Sequence, residues 1–265
     1  MYRMLVMDLD GTLLNSDKAV SPENARAVAR ARQMGLKVVV ATGRPPIGTR
    51  QAQASLGQAG VDYLITYNGA LTEELASGQT IALHTITVAD YLDVAAFAQT
   101  QNLFCYCFAK TACLTPEPHE TPDLEGRVNG IDVQLIDFTQ IDPREPLVKI
   151  MVTGRADELD RCQASVPPAL ARRFMVARSA PILLEFMHPQ ASKGQAVGDL
   201  AGRLGIRREE IICIGDSGND VDMIRFAGLG VAMGNATAEV RIAADYVTLA
   251  CDDHGVAHAL GQFLV

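Results

Sequence analysis

Short apolar runs alternate with stretches of helical spacing along most of this chain. Met4-Leu5-Val6-Met7, Val38-Val39-Val40-Ala41, Tyr63-Leu64-Ile65-Thr66 and Ile211-Ile212-Cys213-Ile214 are uninterrupted apolar runs of strand length, and 229–233 and 246–248 continue the series. Runs of this kind read as strands buried on both faces. Between the first two, Ser21-Pro22 opens a helix with serine as N-cap and proline in the first turn. That helix turns Ala25, Val28, Ala29 and Ala31 inward and stops at Gly35. Ser192-Lys193-Gly194-Gln195 reads as a capping box, and the helix behind it sets Val197, Leu200, Ala201 and Leu204 on one face. Strands alternating with helices predict an α/β fold, a parallel sheet wrapped by helices.

The middle of the chain, 86–190, breaks this rhythm. It carries Cys105-Tyr106-Cys107-Phe108, a loop-like stretch at 115–122 with three prolines, and strand candidates at 133–136, 147–152, 174–178 and 183–187. About a hundred residues suffice for a small α+β domain. The pattern therefore predicts one domain made of 1–85 and 191–265, interrupted by a second at 86–190.

Composition narrows the function. The chain has 265 residues and a formal charge of −8, which disfavours non-specific nucleic-acid binding. No apolar run is long enough to span a membrane, and the short apolar start is too brief for a secretory signal; a cytoplasmic protein, monomer or homodimer, is the expectation. The six cysteines form no CxxC pair and are expected to be reduced and packed rather than zinc ligands. His254 and His258 stand four apart, but Gly255 occupies the place of a zinc protease's glutamate, so both are expected on a helix surface.

Three polar motifs follow directly on predicted strands: Asp8-Leu9-Asp10-Gly11-Thr12, Thr42-Gly43-Arg44, and Gly215-Asp216-Ser217-Gly218-Asn219-Asp220. In an open α/β sheet, ligands bind at the carboxyl ends of the strands, so motifs far apart in sequence can share one site. Asp8, Asp10 and Asp216 gathered there repel one another unless a hard cation such as Mg2+ lies among them. Asp220 is expected as a supporting acid. Thr42-Gly43 offers a hydroxyl and an N–H to an anion. Lys193 sits in a first helical turn, where a cation opposes the dipole, and it gains a reason to be there if it faces a phosphate.

These motifs, in this order, resemble the haloacid dehalogenase superfamily of phosphotransferases, most closely its Cof-type sugar phosphatases. The resemblance also takes in Ile65-Thr66-Tyr67-Asn68-Gly69-Ala70, Ser192-Lys193-Gly194 and Gly230-Val231-Ala232-Met233-Gly234-Asn235-Ala236. It implies a Rossmann-like core with an inserted cap. Only 30 residues separate Thr12 from Thr42, whereas 151 separate Thr42 from Lys193, so the insertion matches the C2 position of that family, subtype B by its α+β texture. The resemblance further implies a Mg2+-dependent phosphatase acting on small phosphorylated metabolites, with Asp8 as nucleophile and Asp10 as general acid and base. The metal would rest on Asp8, the Asp10 backbone carbonyl and Asp216. Phosphate would rest on the backbone N–H groups of Leu9 and Asp10 and on Thr42, Gly43, Lys193 and Asn219. His119, Glu120, Glu125 and Arg127 are polar cap residues expected from a loop, without a readable substrate signature. A phosphomutase using the same aspartyl-phosphate, and a phospho-receiver or metabolite-binding switch without turnover, are the alternatives.

Overall fold

Met4–Met7 lies in the middle of an eight-stranded sheet whose order is Tyr246–Val247, Leu229–Ala232, Ile211–Gly215, Met4–Met7, Lys37–Ala41, Tyr63–Thr66, Leu71–Glu74, Gln79–Leu83. The computed structural model describes residues 1–57 and 60–264. The first six strands in that order run parallel, and Leu71–Glu74 turns back antiparallel on Tyr63–Thr66. Four of the parallel strands are buried at every residue, as a sheet covered on both faces requires. Pro22–Gln33 packs on Gly255–Phe263, while Lys193–Leu204 packs on Val221–Phe226.

The chain order reverses at the centre of this sheet. From Met4–Met7 the sequence proceeds through Lys37–Ala41 to Tyr63–Thr66 on one side, and from Ile211–Gly215 through Leu229–Ala232 to Tyr246–Val247 on the other. Crossovers leaving in opposite directions open a crevice at the carboxyl ends of the two central strands.

By contacts the chain divides into two units: Met1–Gly43, Thr49–Ala82 and Ser192–Val265 form one, Arg44–Gly48 and Leu83–Ala191 the other. Residues 44–48, read from sequence as part of the first domain, thus cluster with the second. The second unit has its own six-stranded sheet, ordered Met175–Ala180, Leu183–Met187, Lys149–Thr153, Phe104–Phe108, Ala112–Thr115, Asp132–Leu135. Its pairs are antiparallel except the last, which is parallel.

Several local expectations change. The strand expected at 147–152 is two: Pro146–Leu147 pairs with Ile86–Thr87, and Lys149–Thr153 joins the larger sheet. An apolar run cannot reveal that its two ends serve different sheets. The polar residues placed in a loop near 120 lie on a helix, Glu120–Asn129, with His119 as N-cap accepting from the Thr121 N–H and with Glu120 and Asp123 in the first turn. The capping box at Ser192 is half formed. Ser192 accepts from the Gln195 N–H, but the Gln195 amide bonds Asp199 one turn on. In the first helix, Asn24 is buried beside Val28 and Ala31 because its Oδ1 accepts from the Ala257 N–H. All six cysteines are buried free thiols. His258 is not a plain surface residue, for its ring bonds the Thr248 hydroxyl.

Candidate active site

Asp8 is the first residue beyond Met4–Met7, and Asp216 the first beyond Ile211–Gly215. Their strands are neighbours with Met7 opposite Ile214, and the Asp8 N–H extends the ladder to the Ile214 carbonyl at 2.9 Å. Adjacent parallel strands in register must deliver these two side chains to the same edge. The turn after Asp8 closes through Leu13 N–H to the Asp8 carbonyl and Leu14 N–H to the Leu9 carbonyl. Gly11 occupies that turn at φ +79°, and a Cβ there would lie 2.6 Å from Asp216 Oδ2. Gly11→Ala therefore combines a left-handed backbone with a clash against a buried carboxylate. Chemical denaturation should show a loss of about 2 kcal/mol; a loss below about 0.5 kcal/mol would mean the turn relaxes freely.

Asp216 is oriented from two sides. Thr12 Oγ donates to its Oδ1 at 2.8 Å and Ser217 Oγ to its Oδ2 at 2.9 Å. Asp220, wholly buried, accepts at Oδ2 from the backbone N–H groups of Asp216 and Ser217. Gly215 permits this approach, since a Cβ there would stand 2.5 Å from the Asp220 Cβ.

Lys193 begins the helix Lys193–Leu204 with its side chain fully enclosed. Its ammonium donates to Asp8 Oδ1 at 2.5 Å and to Asp220 Oδ1 at 2.6 Å. Burial by itself lowers the pKa of this lysine, but Asp220 and Asp8 more than offset it and push the pKa up. Burial raises the Asp8 carboxyl well above the usual carboxylate range; Lys193 pulls it back, and Asp220 and Asp216 push it further up. Asp216 is raised too, mainly by burial and despite the Thr12 hydroxyl. The helix start is locked in place by Gly194, whose N–H donates to Asp222 Oδ2 at 2.9 Å.

One oxygen from each of Asp8, Asp216 and Asp220 falls within 4.8 Å of the others. Three buried carboxylates face one ammonium, so the cluster carries excess negative charge. Its donors are all oxygen, the set that hard divalent cations take. Asp220 is engaged by Lys193 and two N–H groups, whereas Asp216 is held by two neutral hydroxyls, so Asp8 and Asp216, at the ends of the two central strands, are the carboxylates placed to face such an ion. The residues fit a metal. Asp10 stands apart from the triple: its side chain is 38% exposed and pairs with Lys18 Nζ at 2.9 Å. Any ligation by Asp10 therefore falls to its backbone carbonyl.

Thr42 follows the strand Lys37–Ala41, next to Met4–Met7, and is buried. Its N–H bonds the Ile65 carbonyl, and its carbonyl accepts from Asn68. Tyr67, Asn68 and Gly69 all take positive φ, at 52°, 56° and 100°. At Gly69 a Cβ would run into the Ser192 backbone, so this tight turn seats the residue that caps the lysine helix. Asn68 Oδ1 accepts from Asn219 Nδ2 at 2.9 Å, which links the Thr42 turn to the Asp216 loop. Thr12, Ser217 and Asn68 are the positioning residues that reading the sequence missed. Asn68-Gly69, directly behind an apolar strand, was the available signal for the last.

A model of the haloacid dehalogenase-like hydrolases matches residues 5–260. The chain belongs to this family. Among relatives of this haloacid dehalogenase-like hydrolase is YxeH of Bacillus subtilis (strain 168), 35% identical over 100% of this chain and 99% of its own. Phosphatase YwpJ of the same organism is 31% identical over 99% of this chain and 100% of its own. Among solved structures, the HAD subclass IIB sugar phosphatase BT4131 superposes with a TM-score of 0.85 at 25% identity, covering 98% of both chains. The mixed α/β architecture with its central parallel sheet is that of this hydrolase family. No helix among the described residues is long and apolar enough to cross a membrane.

Proposed function

We propose that this hydrolase is a Mg2+-dependent phosphatase of small phosphomonoesters, sugar phosphates foremost, working through an aspartyl-phosphate on Asp8. The carrying observation is the Lys193 ammonium bridging Asp8 and Asp220 beside Asp216, at the reversal point of the sheet. YwpJ carries the name phosphatase and BT4131 is described as a sugar phosphatase, which supports the substrate class.

Asp8 is a weak nucleophile approaching an anion, so charge must first be cancelled on both partners. Lys193 supplies one positive charge at 2.5 Å from Asp8. A cation held by Asp8, Asp216 and the Asp10 carbonyl would supply more when bound, as a Lewis acid toward a phosphate oxygen. The N–H groups of Leu9 and Asp10, the Thr42 hydroxyl, the Gly43 N–H and the Asn219 amide would hold the other oxygens. The Asp8 carboxylate attacks phosphorus, the ester P–O bond breaks, and Asp10 gives its proton to the leaving alcohol oxygen. Asp10 then takes a proton from water, whose oxygen attacks the aspartyl-phosphate, freeing phosphate and restoring Asp8. For Asp10 to act, Lys18 must release it. In this reading the second unit, most of it inserted between Ala82 and Ser192, corresponds to the cap domain that the family resemblance implies.

Phosphate release from a panel of sugar phosphates tests the proposal. Chelation with EDTA should lower turnover by at least about a hundredfold, and Mg2+ should restore it. Undiminished turnover after exhaustive chelation would refute the metal role, and absence of phosphate release from the whole panel would refute the activity.

A further inference from the structure

Asn68 stands in the middle of three successive residues of positive φ, at φ 56° and ψ 31°. Glycine takes this left-handed conformation freely, and asparagine is among the few other residues that take it at low cost. The backbone therefore permits either residue, and the side chain must account for the asparagine. That side chain is buried, and its amide lies against two of the groups assigned to phosphate. Oδ1 accepts from Asn219 Nδ2 at 2.9 Å. The amide also abuts Gly43, where a Cβ would stand 3.0 Å from Oδ1 and 3.3 Å from Nδ2. Any larger residue at 43 would push the Asn68 amide off Asn219.

Asn219 is the loosest member of the phosphate-binding set. The backbone around it is fixed through Asp220, which accepts from the Asp216 and Ser217 N–H groups, but the Asn219 side chain is exposed. Among the described residues its amide makes no hydrogen bond besides the one to Asn68. An amide has two ends of nearly equal size and opposite polarity, so hydrogen bonding decides which end faces a ligand.

We infer that Asn68 sets the polarity of the phosphate site by acting through Asn219. By accepting from one Nδ2 hydrogen it leaves the second for the anion and turns Oδ1 away. Without Asn68 the exposed amide rotates freely and offers an acceptor as readily as a donor, so ordering it falls to the arriving phosphate. Neutrality matters as well. An aspartate would accept the same bond but would set a negative charge beside the anion. The inference rests on the phosphatase reading and deepens it, with Asn68 a positioning residue that need not touch substrate.

Inhibition by inorganic phosphate, measured against p-nitrophenyl phosphate hydrolysis in the presence of Mg2+, tests this in wild type, Asn68→Gly, Asn219→Ala and the double variant. Asn68→Gly keeps the left-handed backbone, so its melting temperature should stay close to that of wild type. Each single variant should raise Ki about tenfold, the loss expected for a hydrogen bond to a charged group. The double variant should show about the same tenfold, because the Asn68 side chain acts through Asn219. Losses that multiply to about a hundredfold would show that Asn68 shapes the site independently and would overturn the inference. A Ki unmoved by either single variant would do the same. Should Asn68→Gly not fold, Asn68→Asp takes its place; its added charge should raise Ki at least as far, and an unchanged Ki again overturns the inference. A wild type that releases no phosphate from p-nitrophenyl phosphate or from sugar phosphates would instead overturn the phosphatase reading.

Discussion

Asp8→Asn is expected to abolish phosphate release, with kcat reduced by at least about four orders of magnitude, while the protein still folds. The substitution keeps the side chain's size and replaces a carboxylate with an amide that cannot form the aspartyl-phosphate. Its structural cost is limited by the geometry. Lys193 loses a charged partner at 2.5 Å, though an amide oxygen there can still accept from it, and keeps Asp220 at 2.6 Å; repulsion from Asp216 falls with the charge. Steady-state phosphate release and a thermal melt on the same preparation decide the matter. A folded Asp8→Asn variant within tenfold of wild-type turnover would sink the nucleophile assignment.

Lys193→Met should cost both stability and activity. The methionine fits the volume but leaves Asp8, Asp216 and Asp220 buried with no cation among them in the metal-free protein. Removing one partner from a sealed ion-pair network typically costs about 3–5 kcal/mol. Activity should fall further than stability explains, since the ammonium also offsets the charge of the entering phosphate. Adding Mg2+ should recover part of the melting temperature and little of the turnover, because the ion replaces the missing positive charge but stands elsewhere. Lys193→Arg is not a conservative alternative, for a planar fork cannot occupy a fully enclosed ammonium site. An unchanged melting temperature in Lys193→Met without metal would show that the carboxylates are not held as charges.

Much of this site could be read before any coordinates because its parts are local. Asp8, Thr42 and Asp216 each end an apolar strand, and strand ends are visible in sequence. Lys193 was marked by its discord with the helix dipole, a rule broken at one residue. Other parts were out of reach. Thr12 and Ser217 are ordinary turn residues until their hydroxyls are seen to clamp one carboxylate from both sides. Asp220 could be read as a supporting acid, but its complete burial depends on Gly215 allowing it under the loop. Asp10 sat in the motif with Asp8, yet its side chain turns outward to Lys18.

The second unit shows the other limit. The run 147–152 carries no mark of the break at Val148, because pairing with Ile86–Thr87 on one side and with Phe104–Phe108 and Leu183–Met187 on the other is decided by distant strands. By itself the sequence determined the alternating α/β order, the strand ends that bear charge and the presence of an insertion, all consequences of periodicity and turn chemistry within a few residues. Tertiary structure alone decided which carboxylates meet Lys193 and which hydroxyls hold Asp216, because each depends on groups brought together by the fold, some of them about two hundred residues apart.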